Sequence, residues 1–207
     1  MLPPASVRHR WLTSQVSAQD LPLQEFRSPV EWSAWLETEH ATSAGCWLKI
    51  AKKTAAKPTV SYAEALEVAI CFGWIDGQKR ALDEDYWLQR FTPRKLGSRW
   101  SKINAAKADE LIAAGRMRPA GQHEVDRARA DGRWDAAYHG QRASTVPDDL
   151  QQALDASPVA AAFFSTISSV NRYAILYRIG SVKRAETRAR KIAQYVQMLA
   201  EHKTIHP

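Results

Sequence analysis

A chain of 207 residues carries 29 Lys and Arg against 22 Asp and Glu, a formal net charge of +7, with 45% hydrophobic and 25% charged residues. That length fits one substantial core or two small ones, the balance is that of a globular protein, and no run of about 18 apolar residues is present to cross a bilayer. The basic excess directs attention to anionic partners: nucleic acid, phosphate or an acidic membrane surface.

Residues 1–24 hold Arg8 and Arg10 with no acid before Asp20 and lack the apolar centre of a secretory signal, so a loose N-terminal arm is expected. In PVEWSAWLETEH (29–40), Val30, Trp32, Trp35 and Leu36 recur at near-helical spacing after a proline, which predicts a short amphipathic helix. GCWLKIAKK (45–53) alternates Trp47 and Lys49 with Leu48 and Ile50 and reads as a strand. Ser61 and Glu64 form an S-x-x-E capping box at the start of the next helix. Leu66, Ala69 and Ile70 make its expected buried stripe, and Gly73 its left-handed stop.

Two strand-like runs follow, WIDGQKRAL and YWLQRFT, joined by Asp83-Glu84-Asp85, a loop length that suits a hairpin. With Leu82 and Tyr86 flanking the loop, Arg80 faces Leu88, Gln78 faces Arg90 and Asp76 faces Thr92. Alternation then puts Trp74, Asp76, Gln78 and Arg80 on one face with Leu88, Arg90, Thr92 and Arg94. A slip of one residue would place the two polar sets on opposite faces.

Beyond Ser98 the periodicity is helical. Ser101 is the expected N-cap of SKINAAKADELIAAG, which Gly115 ends, and HEVDRARADG ends at Gly132. WDAAYHGQRASTV (134–146) breaks the pattern and marks the expected linker. Pro147 is then expected at the first helical position of PDDLQQALDA, and Ser157 as the cap before Pro158 in SPVAAAFF. A last helix over ETRARKIAQYVQMLAEH has Ala189, Ile192, Val196 and Leu199 as its expected stripe.

Neither G-x-G-x-x-G nor G-x-x-x-x-G-K-[ST] occurs, so no nucleotide cofactor is expected. The six histidines show no H-E-x-x-H arrangement, and Cys46 and Cys71 have no metal-ligand spacing, so no metal is expected either. The cysteines read as small buried hydrophobes in a reducing cytoplasm.

Asp76, set among Arg90 and Arg94 by the proposed register, reads as an ion-paired anchor in preference to a catalytic acid. Ser101 and Asn104 either rim a pocket beside it or cap a helix. The ligand-binding candidates are therefore Trp74, Asp76, Gln78, Arg80, Arg90, Thr92, Arg94, Trp100, Ser101 and Asn104. From Trp87 to Lys102 the bases Arg90, Arg94, Lys95, Arg99 and Lys102 interleave with Trp87, Phe91 and Trp100 and no acid. Charge with flat rings suits single-stranded nucleic acid, but with no RRM or KH signature the preferred reading is a junction of tryptophans under arginine stems. Lys183, Arg184, Arg188, Arg190 and Lys191 form a second basic cluster. Arg184, Arg188 and Lys191 share a helix face there, as a solvated surface or an anion-binding ridge. Just upstream, Asn171 and Arg172 precede a Tyr/Ile/Leu run, where buried polar groups need specific hydrogen bonds.

CFGWIDGQKRALDEDYWLQRFTPRKLGSRWSKIN, LIAAGRMRPAG with DGRWDAAY, and SVNRYAILYRIGSVKRAETRARKI with VQML together resemble the YdeI/OmpD-associated family of bacterial proteins, also called bacteriocin-protection proteins. The resemblance spans about residues 25–202 and departs at Ala185, where proline is expected, losing a helix-start signal. It implies a small cytoplasmic bacterial protein linked to envelope stress, bacteriocin tolerance and antimicrobial-peptide resistance, with no established reaction or catalytic residues.

The expected fold is α+β: a small antiparallel sheet with a hairpin, containing Trp47, Trp74 and Trp87 and packed by helices over residues 25–146, then a helical C-terminal region over 147–207. Three functions compete. The first is a non-enzymatic binding or stress-tolerance protein whose partner is an unidentified protein or anionic ligand. The second is a nucleic-acid-binding protein using residues 87–102 and 183–191, and the third an enzyme centred on Asp76, Arg90 and Asn104. Peripheral contact with an acidic membrane surface stays open beside them.

Overall fold

A computed structural model describes residues 21–140 and 144–207, so most of the expected arm and residues 141–143 of the expected linker lie outside the described residues. Two compact units are formed among the described residues, one running to Leu96 and including Ala114–Glu124, the other from Gly97–Ala113 and Val125–Pro207. The architecture is α+β.

In the first unit the capping signals act as written. Ser28 accepts the Glu31 N–H at 3.3 Å, Pro29 opens helix α1 (Pro29–Glu39), and the full capping box of Ser61 and Glu64 starts α2 (Tyr62–Cys71). Gly73 ends α2 at φ +72°, a conformation open to glycine at little steric cost. α1 buries Trp32 and Leu36, whereas Val30 is 74% exposed and is not part of the stripe. At about 100° per residue Val30 points roughly 160° away from Trp32. The α2 stripe is Ala65, Val68, Ala69 and Ile70, with Leu66 only half-buried.

The sheet order is β1-β2-β4-β3, with β1 at Leu23–Gln24, β2 at Cys46–Ala51, β3 at Trp74–Ala81 and β4 at Tyr86–Pro93. β2, β4 and β3 are antiparallel as expected. β1, read from sequence as the end of the arm, instead pairs parallel with β2 through Leu23 and Trp47. The connection from β1 to β2 runs through α1, and a helical crossover is what allows a parallel pair. The sheet is therefore mixed.

The tryptophans of this unit are mostly core. Trp32 stacks on Trp35 at 5.3 Å, meets Trp74 edge-on at 6.2 Å and lies 5.8 Å from Phe91. Their indole N–H groups are satisfied: Trp32 Nε1 donates to the Ala65 carbonyl and Trp74 Nε1 to that of His40, both at 3.1 Å. The start of α4 (Pro119–Ala130) lies against the end of α2, where Gly121 approaches the Cys71 carbonyl, and the helix begins earlier than the HEVDRARADG reading placed it, with Pro119 in its first turn.

In the second unit α3 (Lys102–Ala113) is capped by Ser101, whose Oγ accepts the Asn104 N–H at 3.1 Å. Part of the irregular stretch is pinned: Tyr138 N–H donates to the Trp100 carbonyl at 3.0 Å and Lys102 N–H to that of Tyr138 at 2.9 Å. The remaining helices are α5 (Asp148–Asp155), α6 (Pro158–Thr166), α7 (Ser169–Gly180) and α8 (Ala185–Ala200). They share a core that includes Leu150, Leu154, Phe164, Ile175, Ile179, Ile192, Tyr195 and Leu199.

Three local expectations shift here. Pro147 is the N-cap of α5, with extended ψ, and not its first helical residue. Ser157 stands at the N-cap of α6 without a side-chain cap bond, whereas Ser168, unremarked in the sequence, caps α7 through the Asn171 N–H. The α8 stripe uses Tyr195 in place of the exposed Ala189, because a large ring reaches the core from a position where a methyl cannot.

Candidate functional site

The hairpin register decides which polar side chains meet. Arg80 faces Leu88 as expected, but the pairing shifts between Asp76 and Lys79, so Asp76 faces Phe91 and Ile75 faces Thr92. The extra residue is a β-bulge at Gly77 and Gln78. Gln89, 3% exposed, fills it: its Nε2 donates to the Gly77 carbonyl at 2.9 Å and approaches those of Gln78 and Arg90 at 3.4 and 3.3 Å. A buried amide supplies the donors that a broken ladder requires.

The single face expected for Trp74, Asp76, Gln78 and Arg80 with Leu88, Arg90, Thr92 and Arg94 is therefore split. Asp76 shares the face of its partner Phe91 and accepts a hydrogen bond from the Tyr62 hydroxyl at 2.8 Å; it makes no ion pair with Arg90 or Arg94 among the described residues. Arg90 keeps the opposite face with Leu88 and Arg80. Its guanidinium lies against Gly77, where an added Cβ would come within 2.9 Å of Nε, and that Nε is buried without a hydrogen-bond partner among the described residues. Arg94 is 6% exposed, Thr92 is half-buried and Trp74 is in the core.

At the far end of the hairpin the same elements open a concavity of about 370 Å³ lined by Lys52, Lys79, Arg80, Ala81 and Trp87. The Arg80 guanidinium lies 4.3 Å from the Trp47 ring, and Trp87 is half-buried with its ring 6.0 Å from Tyr62. Lys52 Nζ donates to the Asp83 backbone carbonyl at 2.7 Å, and the Lys79 side chain is exposed. Lys52 and Lys79 were not singled out in the sequence. The alternation of the strand carried Lys79; nothing local marked Lys52, which reaches the site through a backbone bond to Asp85.

Of the remaining candidates, Trp100, Ser101 and Asn104 belong to the second unit, where Trp100 is 1% exposed and packs 4.9 Å from Trp134. With Phe91 also buried, two of the three rings in the 87–102 patch present no face to a base. The second basic cluster is likewise partly internal. Arg188 makes a bidentate pair with Asp149, Nη2 to Oδ1 at 2.9 Å, and donates to the Ile179 carbonyl; the pair holds the Asp149 carboxyl below its ordinary range, the hydrogen bond being the main cause. Arg172 Nη2 donates to the Phe164 and Ser165 carbonyls at 3.1 and 3.0 Å. Asn171 takes the N–H groups of Ile205 and His206 and returns a bond to the His206 carbonyl. Arg184 is the N-cap residue of α8, and Lys191 lies 5.9 Å from the Tyr195 ring. The continuous ridge of Arg184, Arg188 and Lys191 is thus interrupted at Arg188, and only Lys183, Arg184 and Arg190 of the cluster are exposed.

The second unit has a concavity of its own, about 230 Å³, around Arg99, Tyr138, Tyr173 and Tyr177. Arg99 Nη1 donates to Ser181 Oγ at 2.8 Å, and its guanidinium lies 4.9 and 4.7 Å from the Tyr138 and Tyr177 rings. Burial pushes the Tyr173 phenol above its ordinary range, Arg99 pulling weakly the other way.

No helix among the described residues is long and apolar enough to cross a membrane. Residues 24–124, which hold the whole hairpin, match the family model described as Domain of unknown function (DUF8412). No curated protein and no solved structure matches the chain. Residues 143–202, from the α5 approach through α8, match the model described as "Bacteriocin-protection, YdeI or OmpD-Associated", and it is in this C-terminal stretch that the chain is similar to the YdeI/OmpD-associated family.

Proposed function

We propose that this is a non-enzymatic binding protein acting in tolerance of bacteriocins, antimicrobial peptides or envelope stress, and that it docks an acidic segment of a partner protein on the far end of the β3–β4 hairpin. One observation carries the reading: Lys52, Lys79 and Arg80 line a concavity together with the half-buried Trp87, and no carboxylate side chain lines it among the described residues. Such a surface draws acidic groups by charge and offers a ring edge for apolar contact. A chain of net charge +7 repels cationic peptides, so protection by direct sequestration is disfavoured on charge.

The catalytic reading has less support, because the bulge sends Asp76 and Arg90 to opposite faces and Asp76 is engaged by Tyr62. Nucleic acid is favoured as a second reading by the same cations beside Trp87. The test is complementation of a deletion strain with Lys79→Glu/Arg80→Glu, its fold checked by circular dichroism. The proposal expects loss of tolerance, and full restoration would overturn it. A gel shift of single-stranded probes at low salt, falling steeply as salt rises, would move the assignment to nucleic acid.

A further inference from the structure

Three features of the second unit build a site that the hairpin reading does not use. Arg99 directly precedes a backbone pairing in which the Trp100 carbonyl and Lys102 N–H both bond Tyr138. On α7, Tyr173, Tyr177 and Gly180 recur at i, i+4 and i+7, so two phenol rings and a position without a side chain line one face. Ser181, the C-cap of α7, returns its hydroxyl to the Tyr177 carbonyl and accepts from Arg99, which seats a cation at the helix end that favours one. Leu176 and Pro147 add apolar wall, His139 also lines the concavity, and no Asp or Glu does so among the described residues.

From this we infer that the second unit binds a small monocarboxylate with an apolar or aromatic body, its carboxylate directed to Arg99 and its body set against Tyr138, Tyr173, Tyr177 and Leu176. A single guanidinium matches one negative charge, and its planar fork suits a carboxylate. Inorganic phosphate would leave the ring faces uncontacted. At about 230 Å³ the space lies below the roughly 300–1,000 Å³ of drug-sized pockets, which restricts the ligand to a small acid.

The experiment titrates the full chain with benzoate and, separately, with inorganic phosphate, following backbone and tyrosine resonances by NMR. Saturable benzoate shifts confined to the α7 tyrosines and Tyr138, weaker phosphate binding, and a loss of roughly tenfold or more in benzoate affinity for Arg99→Gln are expected. Thr145 is exposed at the pocket, so Thr145→Trp should obstruct it without disturbing the core, and this variant decides the matter should Arg99→Gln fail to fold. Benzoate that does not saturate at millimolar concentration, binding unchanged in the folded variants, or phosphate binding as tightly as benzoate would each overturn the inference.

Discussion

Gln89 donates into the carbonyls freed by the β3 bulge, and leucine in its place would fill much of the same space while leaving those acceptors unsatisfied. Gln89→Leu is therefore expected to destabilise by about 1–3 kcal/mol, read as a lower denaturant midpoint at unchanged slope; an unchanged midpoint would remove the amide from the account. Asp149 makes a prediction with a pH sign. Its folded carboxyl titrates below the unfolded one, so its contribution is present above the ordinary carboxylate range near 4 and is lost as pH falls through the lower folded value. The stability gap between wild type and Asp149→Asn should thus shrink on acidification, from about 1 kcal/mol or less at neutral pH given the exposure of the pair. Neither partner choice was legible beforehand. The sequence contains Gln89 and Asp149 as ordinary polar residues, and only the bulge and the packing of α5 beside α8 turn them into specific acceptors and donors.

At the scale of elements, the signals that survive are those whose physics is local. Ser61 with Glu64, Ser101, Gly73 and the acidic hairpin turn each act within a few residues, and each stands where the chain suggested. The register beyond Lys79 was not legible, because an inserted bulge residue costs the alternation pattern nothing until the partner strand is known. Gly121 separates local from tertiary reasoning most sharply. It lies inside α4, where helix propensity alone says Gly→Ala should stabilise by about 1 kcal/mol. A Cβ there would stand 2.2 Å from the Cys71 carbonyl oxygen, at the end of α2. Gly121→Ala is instead expected to destabilise by about 1–3 kcal/mol, since a backbone atom cannot step aside cheaply. A higher melting temperature for the variant would show that this close approach is relaxed in solution.

Over the whole molecule, the α+β class, the Trp-bearing sheet and the helical C-terminal region could be read from periodicity and caps, whereas the basic residues could not be sorted by role. Arg188 and Arg172 are consumed by internal acceptors and Arg94 is buried, so the charge that reaches solvent is a different set from the charge that clusters in sequence. The thiols report on this architecture as a unit. Cys46 is fully buried, and burial pushes its thiol to about 12; Cys71 is raised by the same cause. Both should stay unlabelled by a thiol reagent at neutral pH until the first unit unfolds, and rapid labelling of the native protein would contradict their place in the core. The central claim, that the hairpin end and not the overall basicity binds the partner, is tested most directly by two variants of equal charge change in one deletion strain. Lys79→Glu/Arg80→Glu alters the concavity, and Lys183→Glu/Arg190→Glu alters exposed residues of the second basic cluster. Tolerance should be lost in the first and retained in the second; equal loss in both, or loss only in the second, would place partner binding elsewhere on the basic surface.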